Sequence, residues 1–318
     1  MKLIVNLPAL NEESKIGETI KRIPREIKGF DEVLIQVIDD GSKDKTVEVS
    51  KEAGADRVYS HPTNRGIGVT FRTAILRALR NDADIMINMD ADGQFNPQDI
   101  EKLTSPILDG QADIVSADRF GAHKAKNIPM IKSILNQFAA KVIGKFLKYE
   151  INDLTCGFRA YSRDSMLRLN LPGNFTYTQE SIIDAIGKNL KVKWVPVEVT
   201  YFAERKSRVV KSVYSYINNS FRIIIRAIRD VRPMRFFGIP GFFLLLIAFV
   251  SAAVFLFLYS QDLKVTPYRN YLFLSITSLL VGIQFIIFAL IADMIRANRK
   301  LIEDLNYTER LQRFKKIK

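Results

Sequence analysis

Acidic side chains follow three short apolar stretches of the sequence. Glu12 comes after the first stretch, Asp39 and Asp40 end the second, and Asp90 and Asp92 follow a third. Carboxylates that lie within a few Å of each other raise one another's pKa, so a cluster of them needs a cation or several hydroxyl and N–H donors nearby. The spacing therefore predicts a site for a divalent cation and a polyhydroxylated ligand.

The third acidic pair has the spacing of a metal site. Asp90, Asp92 and Gln94 lie two residues apart, so in an extended segment their side chains share one face and offer three oxygen ligands to one hard ion. This set predicts Mg2+ or Mn2+, with coordination positions left for substrate phosphates. A turn with polar caps is the alternative that Asp-x-Asp-Gly allows. One cysteine and two histidines exclude a cysteine-based structural zinc site.

The second acidic pair suits hydroxyl and N–H donors. A carboxylate accepts two such donors, so Asp39 and Asp40 are predicted to bind a ribose or a base, with Glu12 at the neighbouring strand end. Ser42 and Asp44 are good helix-capping residues, and we expect Asp39 to face the ligand while Asp44 caps. The Gly-x-Gly sequence does not follow the first strand and lacks the remainder of a dinucleotide fingerprint, which disfavours a nicotinamide dehydrogenase.

Two later segments complete the predicted site. Arg119 follows another apolar stretch, and Asp153 opens a polar and aromatic segment that ends at Tyr161. This segment would bring a further carboxylate to the site from the second half of the domain. The alternative is a surface loop whose Phe158 and Tyr161 pack in the core.

Strands and helices alternate in the part of the chain that carries these residues. This order predicts an α/β fold with a mostly parallel sheet and helices on both faces, in which ligands bind beyond the carboxyl ends of the strands. The acidic groups therefore meet at one edge of the sheet. Strand-length apolar stretches occur at residues 3–7, 33–38, 84–89 and 113–117, and amphipathic helical stretches at 13–28, 44–53, 68–80 and 97–108.

The formal net charge of +13 is concentrated in two segments. Residues 205–235 carry nine basic side chains and one acidic one, residues 296–318 carry eight and three, and the remainder of the chain is balanced. A nucleic-acid-binding domain would carry its basic surface on the folded body. The charge distribution therefore argues against nucleic acid as a partner.

Two uncharged segments follow the first basic one. They predict membrane-spanning helices at about 236–260 and 270–292, each long enough to cross a hydrocarbon core of about 30 Å. The basic flanks place both termini in the cytoplasm under the positive-inside rule, and no signal peptide precedes the first strand. We therefore expect a multi-pass protein of the cell membrane with its N-terminal domain in the cytoplasm.

Two amphipathic helices are predicted next to the membrane, a basic one at 211–234 and a weaker one at about 130–148. At the interface they would seat the domain on an anionic leaflet, where each basic residue contributes about 1 kcal/mol. Ordinary core helices are the alternative for both. Gly238, Gly241 and Gly282 allow close packing of the spans, within the hairpin or in a homo-oligomer, and the sequence leaves the oligomeric state open.

Five motifs occur along the chain, PALNEE, IDDGSKDKT, NMDADGQF, SADRF and DLTCGFRAY. In this order and spacing they resemble the family 2 glycosyltransferases with the Rossmann-like GT-A fold, over about the first 210 residues. With two C-terminal membrane helices, the chain looks most like polyprenyl-phosphate glycosyltransferases. Within this type it resembles the bacterial undecaprenyl-phosphate glucosyltransferases in particular, with dolichol-phosphate mannose synthases as nearby relatives. The Gln-x-x-Arg-Trp motif of the processive synthases is absent.

The resemblance implies a sugar nucleotide donor, a divalent metal and an inverting transfer. Asp92 and Gln94, with Asp90, would hold the metal. Asp153 would be catalytic, either as a base or as a group that orients the acceptor. Contacts to the nucleotide sugar are implied for Pro8, Leu10, Glu12, Val37, Asp39, Asp90 and Ala91, and Asp40 joins them on its spacing.

The acceptor phosphate is expected to bind Arg119 and polar and basic residues around the end of the catalytic domain. Relatives often carry Arg-x-x-Gly-x-Ser here, whereas this chain has no glycine in the segment and offers two registers. The candidates are Arg119, Arg205, Ser207, Arg208 and Lys211.

The resemblance predicts transfer of a hexose, glucose from UDP-glucose, to undecaprenyl phosphate at the cytoplasmic membrane face, for cell-envelope glycosylation. A GDP-mannose-dependent polyprenyl- or dolichol-phosphate mannose synthase is the alternative, and a non-catalytic sugar-nucleotide-binding membrane protein is the minor one. The expected organisation is a catalytic domain at 1–210, a juxtamembrane helix at 211–234, two spans within 235–295 and a basic cytoplasmic tail at 296–318.

Overall fold

A computed structural model describes residues 1–121, 130–171, 177–199, 225, 229 and 232–315. The chain has two compact units: residues 1–224 with 306–318 form the first, and residues 225–305 form the second. Four predicted acceptor-site residues lie outside the described residues, as does most of the helix predicted at 211–234. The four are Arg205, Ser207, Arg208 and Lys211.

A seven-stranded sheet lies at the centre of the described part of the first unit. Its strands are β1 (Lys2–Ala9), β2 (Glu32–Asp39), β3 (Arg57–Ser60), β4 (Ile85–Asn88), β5 (Ile114–Asp118), β6 (Arg159–Ser162) and β7 (Val192–Pro196). They lie in the order β3-β2-β1-β4-β6-β5-β7. β6 is antiparallel to both of its neighbours, and the other pairs are parallel. The predicted mostly parallel α/β sheet is confirmed.

The strands found by sequence are those with continuous apolar runs. The residues from Leu3 to Leu7 in β1 are all buried, as expected for a parallel strand covered on both faces. The sequence did not predict β3, β6 or β7. β3 is at most half-buried, β6 begins with the buried Arg159, and β7 carries an exposed Lys193, so none of them gives an apolar run.

Seven helices accompany the sheet in the described residues: α1 (Ile16–Arg22), α2 (Thr46–Glu52), α3 (Ile67–Arg80), α4 (Ile100–Leu108), α5 (Met130–Leu147), α6 (Arg163–Arg168) and α7 (Thr178–Gly187). α1 ends well before residue 28, where the sequence placed its end. The reason is Pro24, which favours the extended conformation that Ile23 adopts. α5 covers the helix predicted at about 130–148; it buries Ile143 and Leu147 and exposes Lys145.

Two long apolar helices, α8 (Pro233–Asp262) and α9 (Arg269–Arg313), contain almost all of the described part of the second unit. Only 17% of the most apolar 18-residue window of each is buried, and Phe249 is 73% exposed. A core helix of a soluble protein would instead bury most of that surface. Both helices are therefore long and apolar enough to cross a membrane, and α9 continues beyond the span predicted at 270–292.

Small residues let α8 and α9 approach closely. A Cβ on Gly241 would lie 3.3 Å from the carbonyl oxygen of Gly282. Ser275 donates a hydrogen bond from its hydroxyl to the carbonyl of Ala248 at 3.0 Å. Gly238, by contrast, has open space where its Cβ would be. Backbone approach through small residues is the usual basis of helix packing in lipid.

The last turns of α9 belong to the first unit. Tyr307 donates from its hydroxyl to Asp164 at 2.7 Å. The guanidinium of Arg310 donates to the carbonyl oxygens of Leu167 and Leu169 at 3.0 and 2.9 Å. These carbonyls stand at the C-terminal end of α6, where the helix itself offers no donors. Arg310 thus caps α6 from a segment more than 130 residues away in sequence.

Candidate active site

The carboxyl ends of three adjacent strands form one edge of the site. β1 lies between β2 and β4, and the chain leaves β1 to build β2 and β3 on one side before it returns to build β4 on the other. Such a switch in strand order leaves a crevice beyond the strand ends. Ala9 is paired with Asp39, and Asn6 with Asn88, so the segments that follow these strands emerge side by side. The sheet therefore brings Glu12, Asp39 and Asp90 to one edge.

Asp39 holds the turn after β2. Its carboxylate oxygens accept the backbone N–H of Ser42 at 3.1 and 3.3 Å, and only 2% of the residue is exposed. The same turn is joined to the loop after β1, since Asn11 N–H donates to the Ser42 hydroxyl at 2.8 Å and Lys43 N–H donates to the Asn11 side chain at 2.8 Å. Asp44 accepts the N–H of Thr46, the first residue of α2, at 3.1 Å.

Asp40 holds a different loop. One oxygen accepts from His61 Nδ1 at 2.8 Å and from the Arg65 N–H at 3.0 Å, and the other accepts from the Gly66 N–H at 2.9 Å. Both oxygens thus accept hydrogen bonds that fix the turn before α3. A contact between Asp40 and the donor stays a prediction.

The segment from Asp90 to Gln94 is a turn and not the extended segment from which the metal site was argued. Gly93 has φ +74°, and Asp92 Oδ1 accepts the Gln94 N–H at 3.0 Å. The alternation of side chains assumed in that argument was wrong. Asp90, Asp92 and Gln94 are nonetheless all partly exposed and adjacent on one turn.

This turn offers two carboxylates and one amide to a cation. The described residues contain no group of three or more His, Cys, Asp or Glu side chains that could hold a metal alone. Mg2+ and Mn2+ take oxygen ligands, and Mg2+ commonly binds through one or two carboxylates plus substrate phosphates. The donor set therefore fits a hard cation that binds together with a nucleotide diphosphate, and does not fit a closed structural metal site.

A row of buried amides crosses the sheet beneath the site, and the sequence analysis missed it. Gln36 donates to Asn6 at 2.9 Å, Asn6 donates to Asn88 at 2.7 Å, and Asn88 donates to the Tyr177 hydroxyl at 2.6 Å. Each of these side chains is at most 3% exposed. These hydrogen bonds join side chains on neighbouring strands, so the row helps to fix the relative positions of β2, β1 and β4. The sequence signal for this row is a polar residue within each of these apolar strands.

Gly157 lies against Asp90 at the end of this row. A Cβ at position 157 would lie 3.0 Å from the Tyr177 hydroxyl and 3.2 Å from Asp90 Oδ1. Burial, and then the nearby charge of Asp90, hold the pKa of Tyr177 well above its ordinary value, so the hydroxyl keeps its proton. The segment that begins at Asp153 therefore reaches the carboxyl end of β4 through Gly157. The predicted role of the Asp153 carboxylate at the site stays a prediction.

Asp153 forms a buried ion pair with Arg119. Arg119 Nε donates to Asp153 Oδ2 at 2.7 Å and Nη2 donates to Oδ1 at 3.0 Å. The carboxylate also accepts from the Asn136 amide at 3.1 Å and the Thr155 N–H at 3.0 Å, and none of Asp153 is exposed. Burial by itself would raise the pKa of Asp153, but the charge and hydrogen bonds of Arg119 outweigh it and lower the pKa. Asp153 is therefore ionised at neutral pH.

Arg159 is a second buried arginine that the sequence analysis did not single out. It is fully buried in β6 and donates to Ser116 at 3.1 Å, to the Ser181 hydroxyl at 2.8 Å and to the Leu154 carbonyl at 3.0 Å. These bonds tie the segment that carries Asp153 to β5 and α7. Its charge also contributes to the lowered pKa of Asp153.

The remaining predicted nucleotide contacts are apolar. Val37 is fully buried and Ala91 is 2% exposed, so both lie in the core, while Pro8 and Leu10 are partly exposed at the end of β1. No described contact tests their roles, which stay predictions.

Comparison with known proteins supplies the family of this fold. Residues 4–169 match the model of the family described as Glycosyl transferase family 2. The chain is 27% identical over 215 residues to the UDP-N-acetylglucosamine–dolichyl-phosphate N-acetylglucosaminyltransferase of Methanococcus voltae, covering 61% of this chain and 84% of that protein. It is 27% identical over 229 residues to the polyprenol monophosphomannose synthase of Mycolicibacterium smegmatis, covering 69% of this chain and 84% of the relative.

Solved structures share the architecture. The glucosyl-3-phosphoglycerate synthase of Mycobacterium tuberculosis, crystallised with Mn2+, UDP and glucosyl-3-phosphoglycerate, superimposes with a TM-score of 0.56 at 21% identity. The match covers 72% of this chain and 79% of that one. At this identity the likeness establishes the fold, which is the GT-A fold.

Proposed function

The chain belongs to glycosyl transferase family 2, and from that premise we propose that it transfers a hexose from a sugar nucleotide to the phosphate of a polyprenyl lipid. One observation carries the proposal. A GT-A domain with an acidic crevice and two apolar helices with exposed surfaces occur in one chain, which supports a donor site and a means of reaching a lipid acceptor in the same protein. Relatives whose names specify dolichyl or polyprenol phosphate support the acceptor class.

UDP-glucose is the donor we propose, and undecaprenyl phosphate the acceptor. Mannose from GDP-mannose is the second candidate, and the polyprenol monophosphomannose synthase among the relatives favours it. Both donors present a ribose and a diphosphate to the protein. Asp39 and Glu12 suit the first group, and the turn from Asp90 to Gln94 suits the second, so either donor fits the same edge.

The cation site is the turn that carries Asp90, Asp92 and Gln94. These residues would hold Mg2+ or Mn2+, which neutralises charge on the departing nucleoside diphosphate. The hydrogen bond from the Gln94 N–H fixes Asp92 Oδ1, and Gly157 leaves room for the Asp90 carboxylate beside Tyr177. Both carboxylates are thus oriented before the donor binds.

The acceptor needs little help from a base. A phosphate monoester has a second pKa of about 6, so at pH 7 it is largely a dianion. Asp153 is buried, ionised and paired with Arg119, which suits a positioning role better than proton removal. We propose that Asp153 orients Arg119 and the loop beside the anomeric carbon. The phosphate oxygen then attacks that carbon from the face opposite the diphosphate, in one displacement that inverts the configuration.

Membrane attachment through α8 and α9 belongs to this proposal. The basic segments at 205–235 and 296–318 flank the apolar helices, and the positive-inside rule supports a cytoplasmic location for both termini and the catalytic domain. A lipid phosphate at the headgroup level of that leaflet is the acceptor that such a domain would meet.

Purified full-length protein tests the proposal directly. In detergent with Mg2+ and undecaprenyl phosphate, radiolabel from UDP-glucose is expected to enter the organic phase, with GDP-mannose assayed in parallel. Asp92→Asn should lower turnover by a factor of about 100 or more, because it weakens the charge that binds the cation. Asp109→Asn, an exposed carboxylate at the end of α4, is the control and should act like wild type.

Two outcomes would contradict the proposal. Sugar-nucleotide binding without transfer from any UDP- or GDP-sugar would favour the non-catalytic alternative. Wild-type rates for Asp92→Asn at saturating Mg2+ would refute the cation site. If only GDP-mannose gives labelled lipid, the proposed reaction stands and the transferred sugar is mannose instead of glucose.

A further inference from the structure

A cavity of about 560 Å3 lies within the second unit. Its volume falls in the range of small-molecule sites, roughly 300–1,000 Å3. Within the part of the chain that the structure describes, none of the side chains predicted to bind donor, cation or acceptor phosphate lines it. The lining residues are Arg229, Phe237, Phe288, Ile291, Ala292, Ile295, Arg296 and Arg299.

One stripe of α9 forms most of the cavity wall. The lining positions from Phe288 to Arg299 follow one another at steps of three and one residues, which places them on one face of a helix. Along this stripe the side chains change from apolar, ending at Ile295, to basic, at Arg296 and Arg299. The opposite wall is Phe237 of α8, whose ring centroid lies 6.1 Å from that of Phe288. The cavity is therefore amphipathic along its length.

The basic end of the cavity has a high density of positive charge. Arg229, Arg296 and Arg299 line it, and Arg232 stands at the start of α8 nearby. Burial, and then the charges of Arg235 and Arg296, lower the pKa of Arg232. Arginines close enough to disfavour one another's charge are stabilised by an anion placed among them. Arg299 also pairs with Glu303 at 2.9 Å, which orients its guanidinium.

We propose that this cavity binds an anionic bilayer phospholipid, with its phosphate at Arg229, Arg296 and Arg299 and an acyl chain along Phe237, Phe288 and Ile291. Basic pockets at the cytoplasmic ends of membrane helices recognise lipid headgroups in this way. Guanidinium groups bind phosphate oxygens in bidentate fashion, and the aromatic and aliphatic wall suits a hydrocarbon chain. The inference rests on the proposed membrane location of the chain but not on its catalytic activity.

A phospholipid suits the cavity better than the acceptor does. Ile291 and Ile295 are 46% and 59% exposed, so the wall is open to the surrounding bilayer. An open site fills by mass action with the matching lipid that is present in the largest amount, and anionic phospholipids exceed a polyprenyl phosphate carrier in membranes.

Lipid binding to the full-length protein tests the inference without any turnover. Protein in detergent is titrated with phosphatidylglycerol, and bound lipid is counted by native mass spectrometry. The variant Arg296→Gln/Arg299→Gln is expected to lose affinity by a factor of about 10 or more, because a hydrogen bond to a charged group contributes roughly a factor of 10. Arg269→Gln, an exposed arginine at the start of α9, is the matched control and should bind as wild type does.

A second variant separates the headgroup from the chain. Ile291→Trp places a larger side chain in the apolar part of the cavity and keeps all three arginines. It should therefore lower the affinity for phosphatidylglycerol and leave the helix content measured by circular dichroism unchanged. Phosphatidylcholine of the same acyl chains should bind at least about tenfold more weakly, because its headgroup carries no net charge.

Four results would overturn the inference. If wild type and Arg296→Gln/Arg299→Gln bind phosphatidylglycerol equally well, these arginines do not bind the lipid phosphate. If phosphatidylcholine binds as tightly as phosphatidylglycerol, the headgroup charge is not the basis of recognition. Competition by inorganic phosphate at equal concentration would reduce the site to a free-anion site. Displacement of phosphatidylglycerol by an equimolar amount of undecaprenyl phosphate would make the cavity an acceptor site.

Discussion

Removal of the positive charge beside Asp153 should destabilise the first unit strongly and in a pH-dependent way. Arg119→Gln leaves a fully buried carboxylate without its bidentate partner. Loss of one member of a buried ion pair costs about 3–5 kcal/mol. With an m value of about 3 kcal/mol/M, the urea midpoint would fall by roughly 1–2 M at pH 7.

The pH dependence has a definite sign. In the wild type the pKa of Asp153 lies below its unfolded value of about 3.9, so its contribution to stability is present above that value and is lost as the pH falls through the folded pKa. In the variant, burial without Arg119 raises the pKa of Asp153. The carboxyl then becomes neutral at mildly acidic pH and no longer incurs the penalty of a buried charge. The difference in unfolding free energy between wild type and variant should therefore be largest at pH 7 and narrow toward pH 4.

Trp194 supplies the assay. It is the single tryptophan of the chain, and its indole N–H donates to the backbone carbonyl of Asp153 at 2.9 Å. Urea unfolding of the full-length protein, followed by tryptophan fluorescence, therefore reports on this loop. Arg25→Gln is the matched control, because Arg25 pairs with Asp56 at 2.5 Å on the surface and is 45% exposed. Its loss should cost at most about 1 kcal/mol.

A double variant completes the test. Arg119→Gln/Asp153→Asn removes both charges and should recover part of the stability, since the penalty comes from the unpaired carboxylate. If Arg119→Gln costs no more than Arg25→Gln, or if its cost does not shrink between pH 7 and pH 4, then Asp153 is not a buried charge that depends on Arg119. The positioning role proposed for Asp153 would fall with that result.

Three further substitutions probe other contacts. Gly157→Ala places a Cβ 3.2 Å from Asp90 Oδ1, so this carboxylate must move slightly; donor KM should rise, and turnover in the transfer assay should fall by less than the roughly 100-fold that about 1 Å of misplacement costs. Unchanged kinetics would mean that Asp90 can shift freely. Gly282→Val should disrupt helix packing and lower the melting temperature in detergent, whereas Gly238→Val, with open space around it, should not. Arg310→Gln should cost about 1.5–3 kcal/mol of stability by urea unfolding, and no change would show that the cap on α6 is dispensable.

The sequence predicted the parts of the fold that have simple periodicity. β1, β2, β4 and β5 have continuous apolar runs, and the acidic residues after three of them were correctly placed at one sheet edge. β6 was not predicted, because a buried arginine at position 159 breaks the apolar pattern and its hydrogen-bond partners come from distant segments. A single sequence gives no sign of such partners.

The candidate site was predicted by residue type and less well by geometry. Asp90 and Asp92 lie together, but on a turn in which Gly93 has a positive φ. The prediction from alternate residues assumed an extended segment and did not allow for this turn. The pairing of Asp153 with Arg119 was also missed, since 34 residues separate them and only the fold brings them together. Long-range contacts of this kind decide protonation, and spacing alone does not reveal them.

The cap that Arg310 places on α6 has a consequence for the order in which the protein is made. The first unit is discontinuous: its last part, residues 306–318, leaves the ribosome only after the whole of residues 225–305. At roughly 5–20 residues per second, synthesis of that intervening segment takes about 4–16 s. During this interval the carbonyls of Leu167 and Leu169 lack the guanidinium that they accept from in the finished protein. Completion of the catalytic unit is thereby timed to follow synthesis of both apolar helices.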